Sequence, residues 1–127
     1  MANILIVEDE AIVALENKMN LIALGHKVLA ITASAEDAII AFYEKIPDLI
    51  LLDIKLKGNM DGIEAMQEIR KHSSVPVILI TGNSDTKTLQ RIREISNVTY
   101  LIKPILLHEL TNAVNIMLGK SSSSLSV

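Results

Sequence analysis

Apolar runs of strand length alternate along this chain with longer stretches in which apolar residues recur every three or four positions. The two periods mark strands and helices. "NILIV" (3–7) predicts a strand, and residues 10–24 predict a helix that buries Ile12, Leu15, Met19 and Ile22 as one stripe and is capped by Gly25. "KVLAIT" (27–32) predicts the second strand. Ser34 with Asp37 resembles a capping box, and the helix it opens stops before Pro47, because proline pushes the preceding residue out of the α region. "LILL" (49–52) reads as the third strand. Asp61 and Glu64 open a third helix with Ile63, Met66 and Ile69 as its buried stripe. "PVILI" (76–80), a helix over about 84–95, "VTYLI" (98–102) and a last helix burying Leu107, Leu110, Val114 and Met117 complete the pattern.

Five βα units with nearly all-apolar strands imply a parallel sheet covered on both faces and joined by right-handed crossovers. The expected fold class is α/β, a doubly wound (βα)5 three-layer sandwich. Residues 1–119 form the expected domain. The Ser-rich stretch "KSSSSLSV" (120–127) is expected to be a flexible tail or the start of a linker.

Composition narrows the chemistry. Hydrophobic residues make up 50% of the 127 and aromatics only 2%, so aliphatic side chains must fill the core. With no cysteine, disulfides, cysteine zinc sites and thiol nucleophiles are excluded. A net charge of −3 offers no concentrated basic face for nucleic acid. No apolar run nears the roughly 18 residues of a membrane span, and no secretory pattern opens the chain. No membrane association and a cytoplasmic location are therefore expected.

The remaining polar residues gather at strand ends. Glu8, Asp9 and Glu10 follow the first strand, Asp53 the third, Thr81 the fourth, and Lys103 with Pro104 the fifth. In an open parallel sheet these ends form one carboxyl edge, where ligands bind at a topological switch point. Clustered carboxylates repel one another unless a cation neutralises them, and oxygen-only donors favour Mg²⁺ or a similar hard ion such as Mn²⁺. A hydroxyl and an ammonium opposite them suit phosphoryl oxygens. Asp53 then reads as a nucleophile that accepts a phosphoryl group as an acyl phosphate. Taken singly, Asp53 or Thr81 would pass for a turn or cap residue, and Glu10 for a first-turn helix carboxylate. His26, His72 and His108 lie outside the constellation and read as surface or packing residues.

With these residues assembled, residues 3–118 resemble the receiver domains of two-component response regulators. The resemblance implies a CheY-like, flavodoxin-like strand order of 2-1-3-4-5. It implies that Glu8, Asp9, Asp53 and the backbone carbonyl of Lys55 hold Mg²⁺, and that Asp53 is phosphorylated by a histidine kinase. Thr81 and Lys103 would contact the phosphoryl group, Thr81 and Tyr100 would form the switch, and the bond before Pro104 would be cis. Lys55 and Asn83 would tune the phosphorylated lifetime. The implied partners are a sensor histidine kinase or histidine phosphotransferase and an output domain or protein reached through the face of helix four, strand five and helix five. Phosphorylation-dependent homodimerisation is a further implication. The domain would catalyse its own phosphorylation and reversal rather than turn over as a conventional enzyme.

Rival readings meet specific obstacles. The first strand leads into "VEDEA" rather than a glycine fingerprint, and there is no GxxxxGK[ST] for a P-loop. A phosphatase resembling the haloacid dehalogenase group typically carries a second Asp two residues after its nucleophile, where this chain has Lys55. A phosphorylation-independent docking module on the same fold is the alternative, and it would be expected to lack some of the acidic pair, Asp53 or Lys103.

Overall fold

The computed structural model describes residues 1–82 and 85–119. Asn83 and the Ser-rich stretch 120–127 lie outside the described residues. The elements alternate as β1 (Asn3–Val7), α1 (Ala11–Ala23), β2 (Lys27–Thr32), α2 (Ala35–Lys45) and β3 (Leu49–Asp53). They continue as α3 (Gly62–Arg70), β4 (Val77–Thr81), α4 (Thr86–Arg93), β5 (Val98–Ile102) and α5 (Leu107–Met117). The strands form one parallel sheet in the order β2-β1-β3-β4-β5. This is the doubly wound order expected.

Strand alternation sends successive side chains to opposite faces and so builds two cores. Leu5, Val7, Ile50, Leu52, Val77 and Leu79 pack with Phe42 of α2, Met66 of α3 and Ile92 of α4. Ile4, Ile6, Leu49, Leu51, Ile78 and Ile80 pack on the other side with Ala14 and Leu21 of α1 and with Leu110 and Val114 of α5. Every residue of β3 and β4 is buried, so the three layers clamp the central strands from both sides.

Local chemistry explains most boundaries. The Asp61 side chain accepts from Glu64 N–H while the Glu64 carboxylate accepts from Asp61 N–H, a complete capping box at the start of α3. At α2 only half of the expected box forms, with Ser34 Oγ accepting from Asp37 N–H. The helix ends at Lys45, and Ile46 enters the left-handed region at φ 50° immediately before Pro47. Gly25, at φ 92°, supplies the left-handed residue that terminates α1. α4 is shorter than its expected span because Asp85 caps it, accepting from Thr88 N–H. β4 begins after Pro76, which has no N–H to give the sheet.

Two helix faces differ from expectation. On α1 the expected stripe is the exposed one: Ile12 is 82% exposed, Leu15 54%, Met19 63% and Ile22 51%. The buried stripe is Ala14, Asn17 and Leu21. Both stripes have helical spacing, and the smaller residues face the sheet. On α5, Leu110 and Val114 are buried and Met117 packs at the margin, but Leu107, the first helical residue, is 54% exposed. No helix among the described residues is long and apolar enough to cross a membrane.

Candidate functional site

β3 ends at the carboxyl edge of the sheet with Asp53, which is only 3% exposed. Its position is held from several sides. The register sets Asp53 beside Ile80 of β4, and the following residue, Ile54, donates its N–H to the Ile80 carbonyl at 2.9 Å. Gly62 N–H then returns to the Ile54 carbonyl at 2.7 Å. A side chain on Gly62 would collide with the Asp53 backbone carbonyl, so α3 can start this close only with glycine at that position.

The neighbouring strand ends bring their polar residues to Asp53. Lys103, one residue past β5, places its ammonium 2.8 Å from Asp53 Oδ2 and 3.7 Å from Glu8 Oε1. Lys55 N–H donates to Asp53 Oδ1 at 3.1 Å. Glu8 is buried at the end of β1, and its Oε2 accepts from Glu10 N–H at 3.1 Å. Glu8 Oε1 has no hydrogen-bond partner among the described residues. One carboxylate oxygen each of Glu8, Asp9 and Glu10 lies within 4.8 Å of the others. Thr81 closes β4, is buried, and accepts from Lys103 N–H through its backbone carbonyl at 2.8 Å. The Lys103–Pro104 peptide bond is cis.

These contacts fix the electrostatics. Burial and the nearby Asp53 carboxylate raise the Glu8 carboxyl to about 7, against the smaller opposing pull of the Glu10 N–H and the Lys103 ammonium. Burial alone would lower Lys103, but the Asp53 hydrogen bond and the charges of Asp53, Glu8 and Glu10 together raise it. One ammonium therefore faces several carboxylates. The carboxylates of Glu8, Asp9 and Glu10, one oxygen of each within 4.8 Å of the others, are a donor set that fits a hard divalent cation.

The structure thus draws Glu8, Asp9, Asp53, Lys55 and Lys103 together, with Thr81 on the adjacent strand end. Tyr100 is not in this group: it lies within β5, three residues before Lys103, and is 37% exposed. Asn83 lies outside the described residues. His26 is buried and accepts from Ala2 N–H at Nδ1, whereas His72 packs against the Tyr43 ring at the surface. Glu10, gathered with Glu8 and Asp9 at the carboxyl edge but taken singly as a first-turn helix carboxylate, is the α1 N-cap and the third member of the acidic cluster. Sequence reasoning missed one residue. Asn17 is a buried polar residue that the larger apolar stripe concealed.

A model of the response regulator receiver domain matches residues 4–115. This chain belongs to the response regulator receiver domain family. The transcriptional regulatory protein AfsQ1 of Streptomyces coelicolor is 34% identical to this receiver domain over 105 residues, covering 83% of the chain and 46% of that protein. PdtaR of Mycobacterium tuberculosis, also a transcriptional regulatory protein, is 26% identical over 117 residues, covering 92% of the chain and 57% of that protein. The chain therefore spans about half the length of these curated relatives. Among solved structures, the signal receiver domain of a modulated diguanylate cyclase from Desulfovibrio desulfuricans G20 is similar, with a TM-score of 0.86, 30% identity and 98% of each chain covered. A two-component response regulator from Clostridium difficile matches with a TM-score of 0.86 and 25% identity over 95% of this chain and 98% of that one.

Proposed function

We propose that this receiver domain takes a phosphoryl group from a phosphohistidine onto Asp53 and works as a phosphorylation-dependent switch. The observation that carries the reading is a buried Asp53 carboxylate held 2.8 Å from the Lys103 ammonium beside an acidic cluster. A nucleophile so placed is rigid, partly desolvated and next to a cation that can follow charge onto a bound phosphoryl group.

Asp53, Asp9, Glu8 and the Lys55 carbonyl would hold Mg²⁺, which when bound supplies charge neutralisation for the phosphoryl oxygens. A carboxylate oxygen of Asp53 attacks phosphorus. The phosphorus–nitrogen bond of the donor breaks, and its electron pair returns to the imidazole. Lys103 exchanges its contact with Asp53 for one with an equatorial phosphoryl oxygen, and the Thr81 hydroxyl donates to another. Attack by water on the acyl phosphate returns Asp53 and releases inorganic phosphate.

The donor is a sensor histidine kinase or a histidine phosphotransferase. It approaches across α1, which starts at the carboxyl edge and carries Ile12, Leu15, Met19 and Ile22 as exposed apolar surface. Recruitment of Thr81 by the phosphoryl group leaves room for Tyr100 to turn inward from its present exposed position. The phosphoryl group biases this equilibrium only through contacts that differ between the two packings. The output is a further domain or protein reading the α4, β5 and α5 face, in keeping with curated relatives about twice as long.

Intact mass after incubation with acetyl phosphate tests the reading. A Mg²⁺-dependent gain of one phosphoryl group, absent from Asp53→Asn, is expected. No gain in folded wild-type protein would leave the fold as a docking module.

A further inference from the structure

The chain has no cysteine, so its five methionines carry all of its sulfur. A thioether is oxidised to a sulfoxide by taking up one oxygen atom, and thiols can return it. Shielding divides the five. Met66 of α3 lies in the core with no exposed surface, and Met60 and Met117 are half-buried. Met1 is 83% exposed, but it precedes β1 and so stands at the edge of the sheet opposite Asp53. Met19 is 63% exposed and belongs to the apolar stripe of α1, one turn from Leu15 on one side and from Ile22 on the other. With Ile12 and Leu15 it lines a groove of about 340 Å³ on the outer face of that helix. Met19 is therefore the oxidant-accessible sulfur of the stripe.

We propose, resting on the reading that the phosphodonor docks across α1, that Met19 is a reversible modification site through which hydrogen peroxide weakens that docking. A lone pair on the Met19 sulfur attacks one oxygen of the peroxide. The sulfur–oxygen bond forms as the oxygen–oxygen bond breaks, and the hydroxide released takes the proton of the transferred hydroxyl and leaves as water. Sulfur gives up two electrons and the peroxide gains them. Two thiols of a reductant reverse the change, becoming a disulfide while the oxygen leaves as water. The product replaces an apolar thioether with a polar S=O acceptor. In the free protein water solvates that oxygen, so the fold is undisturbed. An apolar partner surface pressed onto Ile12, Leu15 and Ile22 strips the water away without supplying a donor, which makes docking costly. The chemistry at Asp53 is not touched.

The test treats the full chain with graded hydrogen peroxide, stops the reaction with catalase and maps the sulfoxides by tandem mass spectrometry. Met19 sulfoxide is expected to form about 10-fold or more faster than Met66 sulfoxide. Labelling rates are then read with acetyl phosphate and with a purified histidine kinase chosen for the fastest labelling of the unoxidised chain. Oxidation should slow labelling by the kinase about 10-fold, the cost of one polar group buried without a partner. Methionine sulfoxide reductase with dithiothreitol should restore the rate, and labelling by acetyl phosphate should not change. Met19→Leu should be labelled by the kinase at the same rate before and after peroxide. A Met19 no more reactive than Met66, an oxidised wild type labelled by the kinase at its unoxidised rate, or a Met19→Leu slowed as much as the wild type overturns the proposal. An unoxidised chain labelled by neither donor counts instead against the proposed function, and that result is in hand before any peroxide is added.

Discussion

Lys103 and Asp53, fifty residues apart in sequence, meet at 2.8 Å because β5 and β3 end on the same edge of the sheet with β4 between them. Both groups are largely withdrawn from water, with side-chain exposures of 30% and 4%. Their pairing offsets much of the cost of placing a carboxylate at the end of a buried strand. The same ammonium also stands 3.7 Å from Glu8, so it serves two carboxylates at once.

Lys103→Met should therefore act on both chemistry and stability. Labelling of Asp53 by acetyl phosphate should slow by about 100-fold or more, the usual loss when one preorganised donor to a transition-state oxyanion is removed. In EDTA the variant should be less stable by ~1–2 kcal/mol, below the usual cost of breaking a buried pair because the lysine is partly solvated. Stopped labelling assays and urea unfolding measure the two effects. Unchanged labelling would remove Lys103 from the reaction.

Glu8 gives the metal-free protein a pH dependence of defined sign. Its carboxyl lies at about 7 in the folded chain against an ordinary value of 4.5, so between these values the folded state binds its proton more tightly than the unfolded state. The associated stability is complete below pH 4.5 and is lost as pH rises through about 7. Glu8→Gln carries no such charge. In EDTA its urea midpoint should fall less than that of the wild type between pH 5 and pH 8, leaving the variant ahead at pH 8 by ~1–3 kcal/mol. Parallel curves for the two proteins would contradict the burial of an ionising Glu8.

The two faces of α1 should separate under mutation. Leu21 is fully buried, so Leu21→Ala should cost about 2–4 kcal/mol, whereas Leu15→Ser on the exposed stripe should change stability by under about 0.5 kcal/mol. With a histidine kinase as donor, Leu15→Ser should slow labelling while labelling by acetyl phosphate stays unchanged. Equal rates with both donors would remove α1 from the docking surface.

The sheet and the location of the site were legible because each depends on a short-range signal. "LILLDIKLKG" carries a strand apolar on both faces that ends in a carboxylate, and the strand ends of "NILIVED", "VILIT" and "VTYLIK" deliver the rest to one edge. The packed face of α1 was not legible. Ile12, Leu15, Met19 and Ile22 share the spacing of Ala14, Asn17 and Leu21, and only the tertiary fold shows that the smaller set meets the sheet. The burial of Asn17 was hidden for the same reason. The close approach of Gly62 to the Asp53 carbonyl depends on where α3 docks, which no local pattern reports.

The central claim concerns one atom pair, a phosphorus joined to an Asp53 carboxylate oxygen, and reductive mapping reads it most directly. Protein treated with acetyl phosphate and Mg²⁺ is reduced with borohydride, which converts an aspartyl phosphate to homoserine, and is then digested and sequenced by tandem mass spectrometry. The account predicts homoserine at position 53 alone, and none when Mg²⁺ is chelated. Homoserine at Asp9, or unmodified aspartate at every position in folded protein, would contradict it.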